Sequence, residues 1–278
     1  MEKSSKTTPK KDGDSVQILG VRVNSTSTSS VLKKIGQGID GGEKTFVVTP
    51  NPEFLVYAQK HFWFKLILNK ADIAIPDGIG LVWASRLLAF RPLVTRISGT
   101  DLMEKLCALA AKKGWSVYLL GGAPGVALKS LTALKNRYPG LNGWAETGPE
   151  LNLSPDTCPP SASRRRGRGH LSPKQEIARV VRRINLRKPD FLFIAFGMGK
   201  QEKFIWDNWG RLDVKLAMGV GGAFDYLSGQ VPRAPKWVRN LGLEWLYRLF
   251  REPWRFRRQL ALLKFIFLVI KEKFTPVI

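Results

Sequence analysis

Four short stretches carry side chains whose types and spacing could do chemistry. In ADIAIPDGIG, residues 71–80, an apolar run, Ile73 to Ile75, leads into Pro76, then the carboxylate Asp77 and two spaced glycines. TPNPE supplies Thr49 and Asn51, RISGT supplies Arg96, and GMGKQE supplies Gln201. A carboxylate at the end of a buried strand can accept a proton from a hydroxyl. An arginine can neutralise phosphate charge with two parallel hydrogen bonds. Thr49, Asn51 and Gln201 can hydrogen-bond a sugar or a base. The set suits activation of an alcohol toward a phosphorylated donor. Each member has a plainer reading too. Asp77 and Asn51 are ordinary turn residues, Arg96 suits a surface ion pair, and Gln201 suits a helix start. Spacing alone leaves both readings open.

Other chemistries find less support. His61 and His170 stand far apart and there is no C-x-x-C, so no zinc site is expected. The acid pair Asp12 and Asp14 lies in a polar N-terminal tail and reads as solvated. There is no G-x-S-x-G and neither histidine has a nearby nucleophile. GGAPG, residues 121–125, follows an apolar run and opens a helical one, so Gly122 and its neighbours could seat a phosphate on free N–H groups. GVGGAF, residues 219–224, has similar potential. Both could equally be tight βα turns, and neither a dinucleotide G-x-G-x-x-G nor a P-loop is present.

The elements that must position these residues alternate. TFVVT, ADIAI, WSVYLLGG, DFLFIAFGMG and VKLAMGVGGAF read as strands. PEFLVYAQK, GLVWASRLLA, TDLMEKLCALAAKKG, VALKSLTALKNRY and KQEKFIWDNW read as helices. In the third of these, Asp101 and Glu104 have capping-box spacing. Alternation of this kind predicts an α/β fold, Rossmann-like, with a mainly parallel sheet and helices on both faces. Such sheets place ligands at the carboxyl ends of their strands. TPNPE, PDGIG, LLGGAPG and GMGKQE all fall there. Residues 1–15 read as a disordered tail, 16–228 as the main domain, and 145–172 as an Arg/Pro/Ser-rich surface insertion within it.

The 278 residues carry a formal charge of +23, which calls for an anionic partner. The charge is local. Residues 160–188 are net +9 and residues 229–278 net +8, so the remainder is nearly balanced. Cys107 and Cys158 give no disulfide framework, and Cys107 sits in an apolar helical pattern. The N-terminus lacks a secretory h-region. Leu260–Ile270 is interrupted by Lys264 and is too short to span a bilayer. The segment from Pro232 interleaves Trp237, Trp245, Phe250, Trp254 and Phe256 with seven arginines before an apolar run. That pattern fits single-stranded nucleic acid. The apolar run favours instead a helical, basic and aromatic C-terminal appendage lying on an anionic membrane through residues 233–278.

Seven motifs in this order, TPNPEF, ADIAIPDGIG, RISGTDL, VYLLGGAPG, KPDFLFIAFGMGKQEKFI, GVGGAFDYLSGQVPRAPKW and GLEWLYRLFREPWR, make the chain resemble the WecG/TagA/CpsF family of bacterial glycosyltransferases. The resemblance covers roughly residues 16–260. It implies an inverting, metal-independent hexosyltransferase without a cofactor. The donor would be a UDP-sugar, commonly of N-acetylmannosamine. The acceptor would be a polyprenyl-diphosphate-linked amino sugar, in cell-surface polysaccharide synthesis. It also implies a cytoplasmic protein, peripheral on the inner face of the cell membrane and able to self-associate.

By the same resemblance Asp77 is the base, and Thr49, Asn51, Arg96 and Gln201 bind substrate, beside Gly122 of the GGAPG loop read above. Arg248 and Arg251 meet the acceptor diphosphate, and Gly78 and Gly80 let backbone approach the ligand. Two features depart from the family pattern. Met198-Gly199 precedes KQE where a proline is common, and the Arg-rich run at 164–168 has no counterpart. Two alternatives compete. A dinucleotide-dependent oxidoreductase requires the missing glycine fingerprint. A nucleic-acid binder requires basic residues spread over one face, whereas these sit in one insertion and one tail.

Overall fold

The computed structural model describes residues 15–149, 172–253 and 256–275. The chain opens with an antiparallel hairpin, β1 (Ser15–Ile18) and β2 (Val21–Asn24). A six-stranded sheet follows, built from β3 (Thr45–Val48), β4 (Ile73–Ala74), β5 (Ser116–Gly121), β6 (Asn142–Glu146), β7 (Phe191–Ala195) and β8 (Leu216–Gly219). Its order is β4-β3-β8-β7-β5-β6, and every pair is parallel. Val47 lies opposite both Ile73 and Met218, and Leu119 opposite both Ala145 and Phe193.

A parallel sheet must be covered on both faces, and the strands are apolar on both. Phe46, Val48, Leu120, Leu192 and Ile194 face one core. It is closed by the hairpin and by α2 (Pro52–Lys60), α3 (Phe62–Lys70), α4 (Ile79–Leu88), α7 (Pro173–Arg187), α8 (Lys200–Asn208) and α12 (Phe256–Phe274). Val47, Leu119, Phe191, Phe193 and Met218 face the other. That core is closed by α1 (Thr28–Asp40), α5 (Gly99–Lys113), α6 (Val126–Arg137) and α9 (Ala223–Leu227), and contains Cys107. Two further helices, α10 (Lys236–Asn240) and α11 (Glu244–Arg251), lead to α12. The expected Rossmann-like α/β class is the one found, and its sheet is wholly parallel.

Three expectations change. The strand expected over ADIAI pairs only through Ile73 and Ala74. β6 runs on to Glu146, through the expected start of the insertion; residues 150–171, with Cys158, His170 and the Arg-rich run, lie outside the described residues. Helix α5 starts at Gly99 with Ser98 as N-cap, so Asp101 is not its cap. Asp101 instead meets Arg233 at 2.7 Å and Arg239 at 3.3 Å. Long-range charge pairing has displaced a local capping interaction.

Candidate active site

All six strands end on one edge, and there the quoted motifs converge. β5 leads outward to β6, whereas β7 leads the other way to β8. This reversal opens a crevice between β7 and β5, the place where such sheets take ligands. Gly121 and Gly122 line it with positive φ. A Cβ at Gly121 would lie 2.7 Å from the Ala195 carbonyl oxygen, so only glycine lets the two strand ends approach. The Gly122 N–H donates to that same oxygen at 3.0 Å. Helix α6 begins just beyond, at Val126.

Asp77 stands at the other side of the sheet edge, after β4. Its N–H donates to the Pro50 carbonyl at 2.9 Å, and the Ile97 N–H donates to the Pro76 carbonyl at 2.8 Å. Three segments, around residues 50, 77 and 98, are thereby tied together. The Gly99 N–H approaches Asp77 Oδ2 at 3.4 Å. A Cβ at Gly99 would lie 3.3 Å from Thr49 Cγ2 and 3.5 Å from Asp77 Oδ2, so Thr49 and Asp77 flank one narrow space. Burial pushes the Asp77 carboxyl from 3.8 up to about 7. The Gly99 N–H and the Arg96 guanidinium oppose that rise, and the Glu244 and Asp101 carboxylates reinforce it. A carboxylate with a pKa near neutrality can both take and release a proton.

The C-terminal segment closes over this space. Arg233 is gripped by three carboxylates, with Asp101 at 2.7 Å, Glu244 at 3.2 Å and Glu104 at 3.4 Å, and it also donates to Ser98 Oγ at 3.3 Å. Arg239 pairs with Asp101 and donates to the Ala234 carbonyl at 3.1 Å. Arg96 donates to the backbone carbonyl of Arg239, which ties the loop before α5 to α10. Arg248, on α11, pairs with Glu252 at 2.5 Å and lies 3.8 Å from Asp225. Its guanidinium stacks 5.0 Å from the Tyr226 ring, and a Cβ on Gly222 would come within 2.9 Å of its Nη1. The arginine therefore lies flat on the loop after β8.

The expected site residues divide into groups. Asp77, Thr49 and Arg96 converge. Asn51 caps α2, its Oδ1 accepting the Phe54 N–H at 3.0 Å. Gln201 is buried beneath the β8 loop: its Oε1 accepts the Gly221 N–H at 3.1 Å and its Nε2 donates to Glu202 at 2.8 Å. In this conformation it shapes the loop. Gly122 lies in the β5–β7 crevice, Arg248 reaches the β8 loop, and Arg251 is exposed beside the Tyr247 ring. Gly80 does not open space for a ligand. A Cβ there would lie 2.9 Å from Pro52 and 3.8 Å from Phe265, so the glycine lets α4 pack against α2 and α12.

Sequence reasoning missed Arg233, Arg239, Glu244 and Glu202. Arg233 lay within the quoted VPRAPKW motif, and Glu202 directly follows Gln201. The Glu202 carboxyl also accepts the Gly199 N–H at 2.7 Å, and burial pushes it up to about 7. No group of three or more histidine, cysteine or acidic side chains among the described residues is arranged to hold a metal ion.

A doubly wound sheet, a buried carboxylate whose pKa is raised to about 7 and an arginine-rich cover at the strand edge give the chain the form of an α/β enzyme with one candidate site. The comparisons make the class particular. The chain belongs to the WecG/TagA/CpsF family of glycosyl transferases, whose family model matches residues 16–277. It is similar to the N-acetylglucosaminyldiphosphoundecaprenol N-acetyl-beta-D-mannosaminyltransferase of Bacillus subtilis strain 168, at 32% identity over 90% of this chain and 89% of the relative. The protein of the same name from Staphylococcus aureus strain MRSA252 is 31% identical over 93% of each chain. The protein is thus a glycosyltransferase of the hexosyltransferase type.

Proposed function

We propose that this enzyme transfers N-acetylmannosamine, or a closely related hexose derivative, from a UDP-sugar to an amino sugar carried on a polyprenyl diphosphate. The names of the two relatives support the transferred sugar and the lipid-linked acceptor. The observation that carries the mechanism is the Asp77 carboxyl, raised to about 7 at a strand edge and overhung by arginines. Asp77 takes the proton of the acceptor hydroxyl. The freed oxygen forms a bond to the anomeric carbon from the face opposite the diphosphate. The bond from that carbon to the diphosphate oxygen breaks, and UDP leaves with inversion.

The nucleotide fits the β5–β7 crevice, with Gly122 and the start of α6 beside its phosphates. β5 and β3 are three strand spacings apart, roughly 14 Å, so a donor seated there extends along the edge past the β8 loop toward Asp77. Arg248 of α11, resting against that loop, and the Arg96 side chain offer positive charge for the diphosphates, which lets the reaction proceed without a metal ion. Thr49 and Asn51 border the acceptor side.

No helix among the described residues is long and apolar enough to cross a membrane. We place the enzyme on the inner face of the cell membrane as a peripheral protein, held by residues 233–278. The deciding experiment incubates the purified chain, a short-chain lipid-diphosphate amino sugar and a panel of UDP-sugars with EDTA, and follows UDP release and product mass. Transfer from one UDP-sugar supports the reading. Transfer only after a divalent cation is restored overturns metal independence, and no UDP binding at all overturns the whole assignment.

A further inference from the structure

The outer surfaces of α4 and α12 are apolar in a way their packing does not require. Helix α12 sits on the protein through Leu262, Phe265 and Val269, and Phe265 and Val269 are buried. Its opposite face repeats Phe256, Leu260, Leu263, Phe267, Ile270 and Phe274, all exposed. The spacing of four, three, four, three and four residues makes one continuous stripe about 28 Å long. Lys264 and Lys271 border it on one side and Lys273 on the other. The sole acid of α12, Glu272, turns inward and accepts the Leu19 N–H at 2.9 Å.

Helix α4 lies beside α12 on the same core, burying Leu81, Val82 and Ala84. It shows solvent Trp83, 66% exposed, and Leu87, 43% exposed, and the chain just beyond it shows Phe90, 99% exposed. Trp83 and Leu87, at i and i+4, share one face of α4, and Phe90 follows in the turn beyond the extended Ala89. Residues 78–100 contain Arg86, Arg91 and Arg96 and no acid. Two neighbouring helices on one core therefore present exposed aromatic residues set among cations only.

We propose that α4 and the turn after it, through Trp83, Leu87 and Phe90, form a second docking element for an anionic lipid bilayer, inside the catalytic domain and beside the one assigned to α12. The proposal rests on the membrane reading of the C-terminal segment given above. Charge selects the occupant. A second copy of this chain would bring the same cations against themselves, whereas an anionic bilayer gains from every Lys and Arg near its surface. Exposed Trp and Phe with flanking arginines suit the headgroup boundary.

The placement has a consequence for catalysis. From Phe90 the chain runs through Arg96 to Gly99, whose N–H lies 3.4 Å from Asp77 Oδ2. Docking at Phe90 thus sets the acceptor side of the site at headgroup level, where a lipid-linked diphosphate emerges.

The test is flotation of the full chain with vesicles of 30% phosphatidylglycerol in phosphatidylcholine and with vesicles of phosphatidylcholine alone. Three variants are compared with the parent: Trp83→Ser/Phe90→Ser, Arg86→Glu/Arg91→Glu, and Leu263→Ser/Phe267→Ser. The first two should each weaken partitioning at least tenfold, the second only on anionic vesicles. Both should keep turnover of a short-chain, water-soluble acceptor, which also shows that they fold. If the two α4 variants float like the parent and only the α12 variant is lost, the α4 element is overturned and the C-terminal membrane reading stands. If all three float like the parent, both fall. If the parent is a dimer without lipid and Trp83→Ser/Phe90→Ser makes it a monomer by light scattering, the face belongs to a second copy and the proposal is wrong.

Discussion

Replacing Asp77 by Asn should make the protein more stable and nearly inactive at once. The carboxyl has a pKa of about 7 in the folded chain against an ordinary 3.8. A raised folded pKa means that the folded state holds the proton more tightly than the unfolded state does. The carboxyl therefore costs no stability below pH 3.8, costs more as pH rises from 3.8 to 7, and exerts its full cost above 7. The interval is about 3 pH units at roughly 1.4 kcal/mol each, a ceiling of about 4 kcal/mol. Asn has nearly the same shape and no charge at any pH. Asp77→Asn should gain up to about 4 kcal/mol at pH 8, shrinking to under about 2 kcal/mol at pH 5. Urea unfolding followed by tryptophan fluorescence at pH 5, 6, 7 and 8 measures the difference directly. kcat/KM should fall by roughly 10²- to 10⁴-fold, the contribution of a positioned base, while UDP binding stays. In the parent enzyme kcat/KM should rise with pH and level off above about 7. A pH-independent stability difference would refute the burial argument, and a variant with normal turnover would refute the base.

Two further perturbations probe the supports of the site. Glu202→Ala strips the acceptor from both the Gly199 N–H and the Gln201 amide, two buried donors, at about 1–3 kcal/mol each. Its urea midpoint should drop accordingly, and UDP affinity with it, because Gln201 no longer holds the Gly221 N–H in place. Arg233→Met leaves Asp101, Glu104 and Glu244 facing one another without their shared cation. The cluster is part-buried, and Asp101 keeps Arg239 and Glu104 keeps Arg137, so the loss should be about 1–3 kcal/mol, and limited proteolysis should then cut between residues 235 and 253 faster than in the parent.

Five of the six sheet strands were legible because they are short apolar runs closed by glycine or proline, and because a parallel topology puts every such end on one edge; β6, with the sequence NGWAE, is no such run and was missed. Asp77 and Gly122 could be found that way, since each directly follows a strand; Arg96 lies in the loop between α4 and α5 and was found through its RISGT motif. The cover was not legible. Arg233 reaches acids more than 120 residues earlier in the chain, and no local pattern encodes that partnership. The same contacts explain why Asp101 was misread as a helix cap: its spacing to Glu104 is right, but both acids are claimed by arginines from afar. Gln201 shows the opposite limit. Its position at a strand end was read correctly, yet its amide is turned inward onto Gly221 and Glu202, and a side chain's direction is not written in spacing. The hairpin β1–β2 was missed although it carries a local signal: Val16, Ile18 and Val21, Val23 alternate on either side of a two-residue Leu19-Gly20 turn whose φ angles are both positive.

The closure of the C-terminal segment and the proton affinity of Asp77 are one physical arrangement. Glu244 on α11 raises the Asp77 pKa, and Arg96, which lowers it, is held by the Arg239 carbonyl on α10. The segment that covers the carboxyl thus contributes a charge that raises its pKa and a backbone group that positions the charge lowering it. With the segment lifted away, Asp77 would lose Glu244 and part of its shielding from water, and its pKa would move back toward that of an ordinary aspartate. An ordinary aspartate is ionised at neutral pH but is a poor proton acceptor. If Asp77 is the base proposed above, it would therefore be strong only when the cover is down. If the bilayer holds the cover down through α12 and α4, the enzyme becomes competent where its lipid-linked acceptor is, and a chain adrift from the membrane has little power to activate water against its donor.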